Sequence, residues 1–378
     1  STQAKTLFPY TTLFRSHHGR CAIYDWAYMN NVEQKHFQLP TEACWSHTWR
    51  KPKLKFLPSN HYDGAQFFNP IECPEGRSQI DLLKWLLKRK SNSWNVNPQQ
   101  EAQQFFTASR ALPQLRPQAS LDDWQVWFVG HATVLIQIGP YNFLTDPVWA
   151  EHASPKQGRG PKRACPAGIA LEDLPTIHAV FLSHNHYDHM DLTTLKWLNH
   201  QFAMPIYTGL GNGCYLPPDL HVIEMDWWQS ALFKEMKIIY TPAQHGSGRG
   251  ARDQNMALWG GFSILHGQDH CFFAGDTGYS PHFKEIQTRI GAPRVALLPI
   301  GAYEPRNLMR YMHMNPEDAF QAHKDLHSKC SLAIHYRTFE LTDEGRDQPE
   351  ADLHQAMKRS SKLMNPFYCI REGKKLIV

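Results

Sequence analysis

The sequence predicts a layered α/β fold preceded by an irregular N-terminal extension. Two observations support the layered fold. From about residue 121 onward, short apolar runs end repeatedly in Gly, Asp or His, as strands do where they meet loops. Segments with helical periodicity separate several of these runs. Strands that alternate with helices are typical of an α/β architecture.

The predicted elements follow one another along residues 121–378. We expect strands at residues 126–129, 133–138, 143–145, 179–183, 237–241, 271–274, 295–300 and 332–334. The run at 179–183 is apolar up to its final Ser, as expected for a strand buried on both faces. We expect helices at residues 191–199, 281–289, 316–327 and 350–361. Pro316 followed by Glu317 and Asp318 is typical of a helix N-terminus.

Residues 17–120 form the predicted N-terminal extension, in which Pro and aromatic residues recur and periodicity is poor. One helix is predicted at residues 80–88, where Leu83, Leu86 and Leu87 share a face opposite Lys84 and Lys88. A weaker helix is predicted at residues 98–109. Because these elements are too few for a separate core, we expect the extension to pack on the main domain, residues 121–378.

Residues 1–16 differ from the rest of the extension. Residues 6–16, TLFPYTTLFRS, resemble the direct translation of a common short-read sequencing adapter. We therefore expect residues 1–16 to be a non-native leader. The alternative is a genuine short apolar leader that touches a membrane.

Composition excludes several functional classes. Lys and Arg total 39 against 35 Asp and Glu, and the net charge of +4 is too small to predict nucleic-acid binding. No apolar run approaches the roughly 18 residues that suggest a membrane-spanning helix. The 8 Cys residues are scattered singly without a C-x-x-C pair. This pattern favours free thiols in a reducing compartment, so we expect a cytoplasmic location.

The 22 His residues point to metal binding, since imidazole is a common metal ligand. The strand predicted at 179–183 leads into His184-Asn-His186-Tyr-Asp188-His189. His184 and His186 are two residues apart, so an extended backbone directs both to one side. Asp188 and His189 follow in the turn and face a second position. One ion cannot easily use all four side chains, so the motif predicts two neighbouring ions.

Further candidate ligands lie where other predicted strands end, namely His245, Asp276 and His335. In an open α/β sheet, the carboxyl ends of the strands open toward a ligand crevice. Imidazole and carboxylate ligands suit zinc, with iron or manganese as alternatives. The predicted metal ligands are therefore His184, His186, Asp188, His189, His245, Asp276 and His335.

The motif His184-x-His186-x-Asp188-His189 resembles the signature of the metallo-β-lactamase superfamily. Over roughly residues 124–357 the chain is more specifically similar to the N-acylphosphatidylethanolamine-hydrolysing phospholipase D family and its bacterial relatives. The similarity is carried by residues 129–133, 143–147, 160–163, 183–191, 224–228, 272–279, 299–306 and 333–335. The strings Gly-Asp-Thr-Gly-Tyr at 275–279 and Pro-Ile-Gly-Ala-Tyr-Glu-Pro-Arg at 299–306 are much more specific than the signature.

The resemblance implies an αβ/βα four-layer sandwich that holds two zinc ions. The ligands it assigns are His184, His186 and His245 for one ion and Asp188, His189 and His335 for the other, with Asp276 bridging both. Asp188 and Asp276 are the implied catalytic carboxylates. The implied reaction is hydrolysis of the phosphodiester of N-acylphosphatidylethanolamine by zinc-activated water, giving phosphatidic acid and an N-acylethanolamine.

Weaker predictions concern the side chains around these ligands. Residues behind a metal centre commonly orient its imidazoles, and the candidates for this role are Asp146, Asp191 and His131. The first two have alternative roles as a turn residue or a helix N-cap. We expect the substrate pocket to be lined by Tyr187, Tyr303, Arg306 and His313. Arg337 stands where the resembled family typically has Gly, at the rim of the expected pocket.

Two other functions stay open. One is a hydrolase of the same fold that acts on a lactone or a soluble phosphodiester, since fold and ligands do not define the substrate. The other is a non-catalytic metal-binding protein. Because the implied substrate is a phospholipid, we expect peripheral contact with a membrane surface, aided by the basic pair Lys162-Arg163. A homodimer is left open as the assembly state.

Overall fold

The computed structural model describes residues 56, 58–71, 79–89, 94, 112–156, 158–250, 252–360 and 365–378. All of these residues lie in one compact unit, Pro40–Val378. The suspected leader at residues 1–16, residues 17–55 of the extension and the helix predicted at 98–109 lie outside the described residues.

The first sheet contains strands from both ends of the main domain. They are β1 (Trp124–Gly130), β2 (Thr133–Ile138), β3 (Tyr141–Thr145), β4 (Ala179–Leu182), β5 (Ile206–Gly209), β6 (Val222–Met225) and β14 (Lys375–Ile377). Their order in the sheet is β14-β1-β2-β3-β4-β5-β6. Neighbours from β14 to β3 are antiparallel, and neighbours from β3 to β6 are parallel.

The second sheet repeats this pattern. Its strands are β7 (Ser230–Phe233), β8 (Met236–Thr241), β9 (Gly261–His266), β10 (Asp269–Phe273), β11 (Val295–Pro299), β12 (Ser331–Ile334) and β13 (Phe367–Tyr368). Their order is β13-β12-β11-β10-β9-β8-β7. Neighbours from β7 to β10 are antiparallel, and neighbours from β10 to β13 are parallel.

The described residues include six helices. They are α1 (Gln79–Lys88), α2 (Leu192–Phe202), α3 (His282–Ile290), α4 (Arg306–Met309), α5 (Pro316–Asp325) and α6 (Gln348–Arg359). The sheets pack on each other where the ring of Phe181 in β4 lies 5.1 Å from that of Phe262 in β9. Leu195 of α2 packs in a buried cluster on the first sheet. On the second sheet, the ring centroid of Phe283 in α3 lies 6.4 Å from that of Phe272 in β10. This order of layers confirms the predicted four-layer sandwich.

The predicted strands and helices of the main domain are present, with ends that differ by a few residues. Sequence reasoning missed β5, β6, β7, β9, β13 and β14. β5 and β6 have four residues each, and polar residues interrupt the apolar pattern of β9. Such strands have little periodicity of their own, because ladder pairing with neighbours defines them.

The described part of the extension contacts the main domain at several places. Tyr62 and Phe67 lie in the core, each 2% exposed, and the N–H of Phe67 donates to the carbonyl of Asn255 at 2.8 Å. In α1, Nε1 of Trp85 donates to Oδ2 of Asp343 at 2.7 Å. The segment that carries Tyr62 and Phe67 is therefore part of the same core as the sandwich.

Two further structural features concern the helices and the cysteines. Among the helices that the structure describes, none is long and apolar enough to cross a membrane. The described cysteines Cys214, Cys271, Cys330 and Cys369 are free thiols.

Candidate metal centre

Each predicted metal ligand lies within a few residues of a strand's C-terminal end. β4 leads to His184, His186, Asp188 and His189, β8 to His245, β10 to Asp276, and β12 to His335. The strands β8, β10 and β12 run in the same direction, so their carboxyl ends meet at one edge of the second sheet. The loop after β4 brings the signature from the first sheet to this edge.

Three imidazoles form the first donor group: His184, His186 and His245. Nε2 of His184 lies 2.8 Å from Nδ1 of His186, and Nε2 of His245 lies 3.2 Å from the same nitrogen. Burial lowers the pKa of all three rings below its ordinary value, so they are neutral at neutral pH. Three neutral imidazoles with converging nitrogens are a donor set typical of zinc.

The other ring nitrogens of His184 and His245 are hydrogen-bonded away from the centre. Nδ1 of His184 donates to Oγ of Ser183 at 2.9 Å, and that hydroxyl donates to Oδ2 of Asp146 at 2.5 Å. Nδ1 of His245 donates to the carbonyl of Met312 at 2.9 Å. Because a carbonyl can only accept, this bond places the His245 proton on Nδ1 and leaves Nε2 available to a cation.

The second donor group contains Asp188, His189 and His335. Oδ2 of Asp188 lies 3.3 Å from Nε2 of His189 and 3.4 Å from Nε2 of His335. Burial alone would lower the pKa of both rings. Asp276 and Asp188 nevertheless raise the pKa of His335 to about 9, and they hold that of His189 well above its ordinary value. Without a metal, this group is therefore a cluster of imidazolium and carboxylate charges.

Asp276 lies between the two donor groups. Its Oδ2 is 3.1 Å from Nε2 of His335, 3.2 Å from Nε2 of His189 and 3.7 Å from Nε2 of His245. Burial alone would raise the pKa of Asp276, but His189 and His335 hold it well below its usual range. An ionised carboxylate in this position is suited to bridge two ions.

The donor set fits a divalent metal. Within each of the groups His184–His186–His245 and His131–Asp188–His189–His335, the candidate donor atoms lie within 4.8 Å of one another. Among the described residues, buried Nε2 of His189, Nε2 of His335 and Oδ1 of Asp276 have no hydrogen-bond partner. Buried polar atoms without partners are costly, and bound cations would satisfy them. Imidazole and carboxylate donors suit zinc, and they also suit iron and manganese.

Two of the three supporting residues predicted from the sequence contact the candidate ligands. Oδ2 of Asp146 accepts a hydrogen bond from Nδ1 of His189 at 2.6 Å. Nε2 of His131 donates to Oδ2 of Asp188 at 2.9 Å. The carbonyl of His131 also accepts from the backbone N–H of His335 at 2.8 Å. Both side chains therefore orient members of the second donor group.

Asp191 has a different role from the one expected behind the ligands. It is the N-cap of α2, where its Oδ1 accepts from the backbone N–H groups of Thr193 and Thr194 at 3.1 and 3.3 Å. Its Oδ2 accepts from the N–H of Ala150 at 3.0 Å. Asp191 thus secures the helix that follows the signature, because the first N–H groups of a helix lack partners within it.

Two of the predicted pocket residues, His313 and Arg306, contact each other, and His313 lies near Asp276. Nδ1 of His313 is 3.8 Å from Oδ2 of Asp276, so His313 faces the centre. Arg306 does not face it. Its guanidinium donates to the carbonyl of His313 at 2.8 Å and to Oδ2 of Asp318 at 2.6 Å. Arg306 therefore holds the backbone of His313 against the start of α5.

The other two predicted pocket residues have separate surroundings. The hydroxyl of Tyr187 donates to the carbonyl of Arg249 at 2.9 Å, beside the signature turn. The hydroxyl of Tyr303 donates to Oδ2 of Asp352 in α6 at 2.6 Å, and Tyr303 is buried. Tyr187 lies in the signature turn, next to the candidate ligands His186 and Asp188. The hydrogen bond of Tyr303 joins the loop that carries it to α6.

Arg337 does not line the rim of the pocket. Its side chain is buried and forms an ion pair with Asp347. Its φ of 66° lies in the left-handed region, which glycine adopts at less cost than other residues. A left-handed backbone at this position is consistent with the Gly that the resembled family typically has here.

The basic pair Lys162-Arg163 was expected to face a membrane, and this expectation is wrong for Arg163. The guanidinium of Arg163 donates to the carbonyls of Val148 and Ala150 at 2.7 and 3.2 Å. Lys162 is exposed and pairs with Glu151 at 3.0 Å. Arg163 and Lys162 therefore join residues 148–151 to residues 162–163 of the same loop. Lys162 is the exposed cation of the two.

Sequence reasoning missed Arg249, which braces the signature turn. Nη1 of this buried side chain donates to the carbonyls of Asn185 and Met190, each at 2.9 Å. These two carbonyls lie on either side of the turn that carries His186, Asp188 and His189. No local motif marks Arg249, because its partners are about sixty residues away in the chain.

A two-sheet sandwich with a His/Asp centre at one edge defines the class of this protein, which has the metallo-β-lactamase fold. A sequence profile described as a β-lactamase superfamily domain matches residues 141–336. Among solved structures, isothiocyanate hydrolase from Delia radicum gut bacteria aligns with a TM-score of 0.53 and 20% identity, covering 67% of this chain and 98% of that one. At this level of identity the alignment concerns the fold alone.

Two curated relatives are closer in sequence. An uncharacterised protein of Mycobacterium tuberculosis is 38% identical over 230 residues, which are 59% of this chain and 61% of that protein. N-acyl-phosphatidylethanolamine-hydrolysing phospholipase D 1 of Caenorhabditis elegans is 37% identical over 255 residues, 64% of this chain and 72% of that protein. The chain belongs to the β-lactamase superfamily, in the same family as this C. elegans phospholipase D.

Proposed function

We propose that this protein is a binuclear zinc hydrolase of phosphodiester bonds that cleaves N-acylphosphatidylethanolamine into phosphatidic acid and an N-acylethanolamine. The observation that carries the metal-dependent part is the position of Asp276, within 3.7 Å of imidazole nitrogens from both donor groups. The substrate is taken from the C. elegans relative, whose printed name gives its activity.

The proposed ligands are divided between two ions. His184, His186 and His245 would hold one ion, Asp188, His189 and His335 would hold the other, and Asp276 would supply its carboxylate to both. When bound, such a pair of ions supplies water of lowered pKa and compensates for charge on phosphoryl oxygens.

The chain's own residues keep this arrangement in place. Asp146 accepts the Nδ1 proton of His189, and Met312 accepts that of His245, so both rings present Nε2 to the centre. His313 lies 3.8 Å from Asp276 and would donate a hydrogen bond to a phosphoryl oxygen of the substrate. Arg306 would help to position the substrate indirectly, by holding the carbonyl of His313.

A phospholipid substrate requires contact with a membrane surface, which we propose to be peripheral and on the cytoplasmic side. Phe68 and Ile71 of the extension are 42% and 41% exposed. Ile71 is hydrogen-bonded to Gln244, the residue before His245, so these apolar side chains lie near the centre. Exposed apolar side chains of this kind would insert into the headgroup region of a bilayer.

The test is a comparison of substrates with zinc-loaded protein in a chain that starts at His17. The substrates are N-acylphosphatidylethanolamine in anionic vesicles, a soluble bis-aryl phosphodiester and an acyl lactone. We expect release of N-acylethanolamine from vesicles, with sedimentation of the protein on them. Turnover of only the soluble diester or the lactone would leave a hydrolase with another substrate. Zinc binding without turnover of any of them would indicate a non-catalytic metal-binding protein.

A further inference from the structure

The N-terminal extension contacts the backbone of a proposed metal ligand through Asn69. Oδ1 of Asn69 accepts from the N–H of His245 at 2.9 Å, and Nδ2 of Asn69 donates to the carbonyl of His245 at 2.8 Å. Oδ1 also accepts from Nε1 of Trp259 at 3.1 Å. Because an indole nitrogen only donates, this third bond defines which end of the amide faces His245.

A second amide contact joins Gln244, one residue before His245, to Ile71, two residues after Asn69. Nε2 of Gln244 donates to the carbonyl of Ile71 at 2.8 Å, and Oε1 of Gln244 accepts from the N–H of Ile71 at 3.3 Å. Asn69 and Gln244 therefore clasp each other's segments in opposite directions. In each case a side-chain amide bonds both the N–H and the carbonyl of one residue on the other segment, so four hydrogen bonds join the extension to the His245 loop.

This clasp matters because His245 lies beyond the end of the sheet. Strand β8 ends at Thr241, so His245 does not belong to the strand ladder. Asn69 binds both the N–H and the carbonyl of its backbone. On the opposite side, the carbonyl of Met312 holds the imidazole by Nδ1 at 2.9 Å. Backbone and ring are thus held independently, and together they direct Nε2 toward His186.

We propose that Asn69 is a positioning residue for the first metal ion, so that the extension completes the centre. The inference rests on the proposed metal-dependent function. The sequence profile of the superfamily domain begins at residue 141, so Asn69 lies outside the domain that it matches. The extension therefore contributes to ligand geometry as well as to the core.

The effect of removing Asn69 should be local. Trp259 keeps a second acceptor, the carbonyl of Ala243 at 3.0 Å, so loss of the Asn69 amide does not leave the indole without a partner. His245 loses the bonds to both of its backbone groups. The second donor group has no direct contact with Asn69 among the bonds of the described residues.

The experiment measures zinc affinity of the metal-free full chain by competition with a chromophoric chelator, for wild type, Asn69→Ala, Asn69→Leu and Gln66→Ala. Gln66 is the matched control, since its amide also bonds this loop, at the carbonyl of Gln254 (3.0 Å), without touching His245. We expect both Asn69 variants to bind one of the two ions about 10- to 100-fold more weakly. The other ion, and both ions in Gln66→Ala, should bind as in wild type.

Several results would overturn the inference. They are wild-type affinity for both ions in the two Asn69 variants, equal weakening of both ions, and the same weakening in Gln66→Ala. Asn69→Leu fills the space of the amide, so it serves as the comparison if Asn69→Ala loses its native circular dichroism. Failure of the proposed function looks different, because wild-type protein itself would then bind no zinc.

Discussion

Two buried histidines of this protein, His184 at the metal centre and His323 in the framework, have contrasting hydrogen-bond surroundings. At the metal centre, ring nitrogens of His184 and His186 face each other at 2.8 Å. In the framework, both nitrogens of His323 in α5 have ordinary partners, Oγ of Ser331 at 2.8 Å and the carbonyl of Asn365 at 3.1 Å. Burial is equally complete at His184 and His323, each 1% exposed. Convergence of lone pairs therefore identifies a candidate ligand, whereas burial does not.

The largest expected effect is that of removing the carboxylate between the donor groups. Replacing Asp276 by Asn removes the negative charge that contacts both groups, while its shape is kept. We expect turnover to fall by more than about 100-fold. Substitution of residues that only hydrogen-bond to metal ligands costs up to about 100-fold, and Asp276 is itself a proposed ligand. Bound zinc should fall from about two ions per chain to about one. Metal analysis and the vesicle assay check this, with circular dichroism as the control for folding.

Near wild-type turnover in Asp276→Asn would contradict the bridging role of Asp276. A wild-type protein that binds no more than one zinc ion per chain, even with zinc in excess, would contradict the binuclear centre itself.

A matched pair of substitutions tests the contrast between the two regions. His184→Asn should lose one of the two zinc ions. His323→Asn should keep both ions and lower the free energy of unfolding of the metal-free protein by about 1–3 kcal/mol, because two buried hydrogen bonds are disturbed. Metal analysis and urea unfolding measure the two effects. Loss of an ion from His323→Asn would remove the distinction between centre and framework.

The smallest effect is the pH dependence of stability. Burial lowers the pKa of His323 to about 4. The unfolded chain, with a pKa near 6.5, takes up the proton first, so this contribution to stability is lost as pH falls from about 6.5 toward 4. His335 acts in the opposite direction, since its pKa is raised to about 9. Its contribution is complete below about pH 6.5 and is lost as pH rises through about 9.

Other buried histidines also have a lowered pKa, so the contribution of His323 is isolated by comparing wild type with His323→Asn in urea unfolding of metal-free protein between about pH 7 and pH 5. In this range His323 removes up to about 1.4 kcal/mol of stability per pH unit. The His323→Asn variant lacks this imidazole, so its stability should decline less steeply than that of wild type. Parallel declines in the two proteins would contradict the assignment of His323 as a neutral buried ring.

Much of the main domain could be predicted from the sequence. β4 is a continuous apolar run, and α5 begins with Pro and acidic residues, so both have local signals. β5 and β6 have four residues each and depend on ladder pairing with β4 and with each other. The role of Asp191 as an N-cap was one of two alternatives, and its backbone partners in the structure decide between them.

The sequence by itself determined the superfamily, the α/β layers and the candidate ligands, because the signature and the strand-end positions are local patterns. Only the tertiary structure decided which nitrogens converge and what holds them. Asn69 bonds a residue 176 positions away, and Arg249 bonds carbonyls 59 and 64 positions away. Such contacts have no periodicity or spacing in the chain. They exist because folding brings the extension and the loops after β4 and β8 together at one edge of the sandwich.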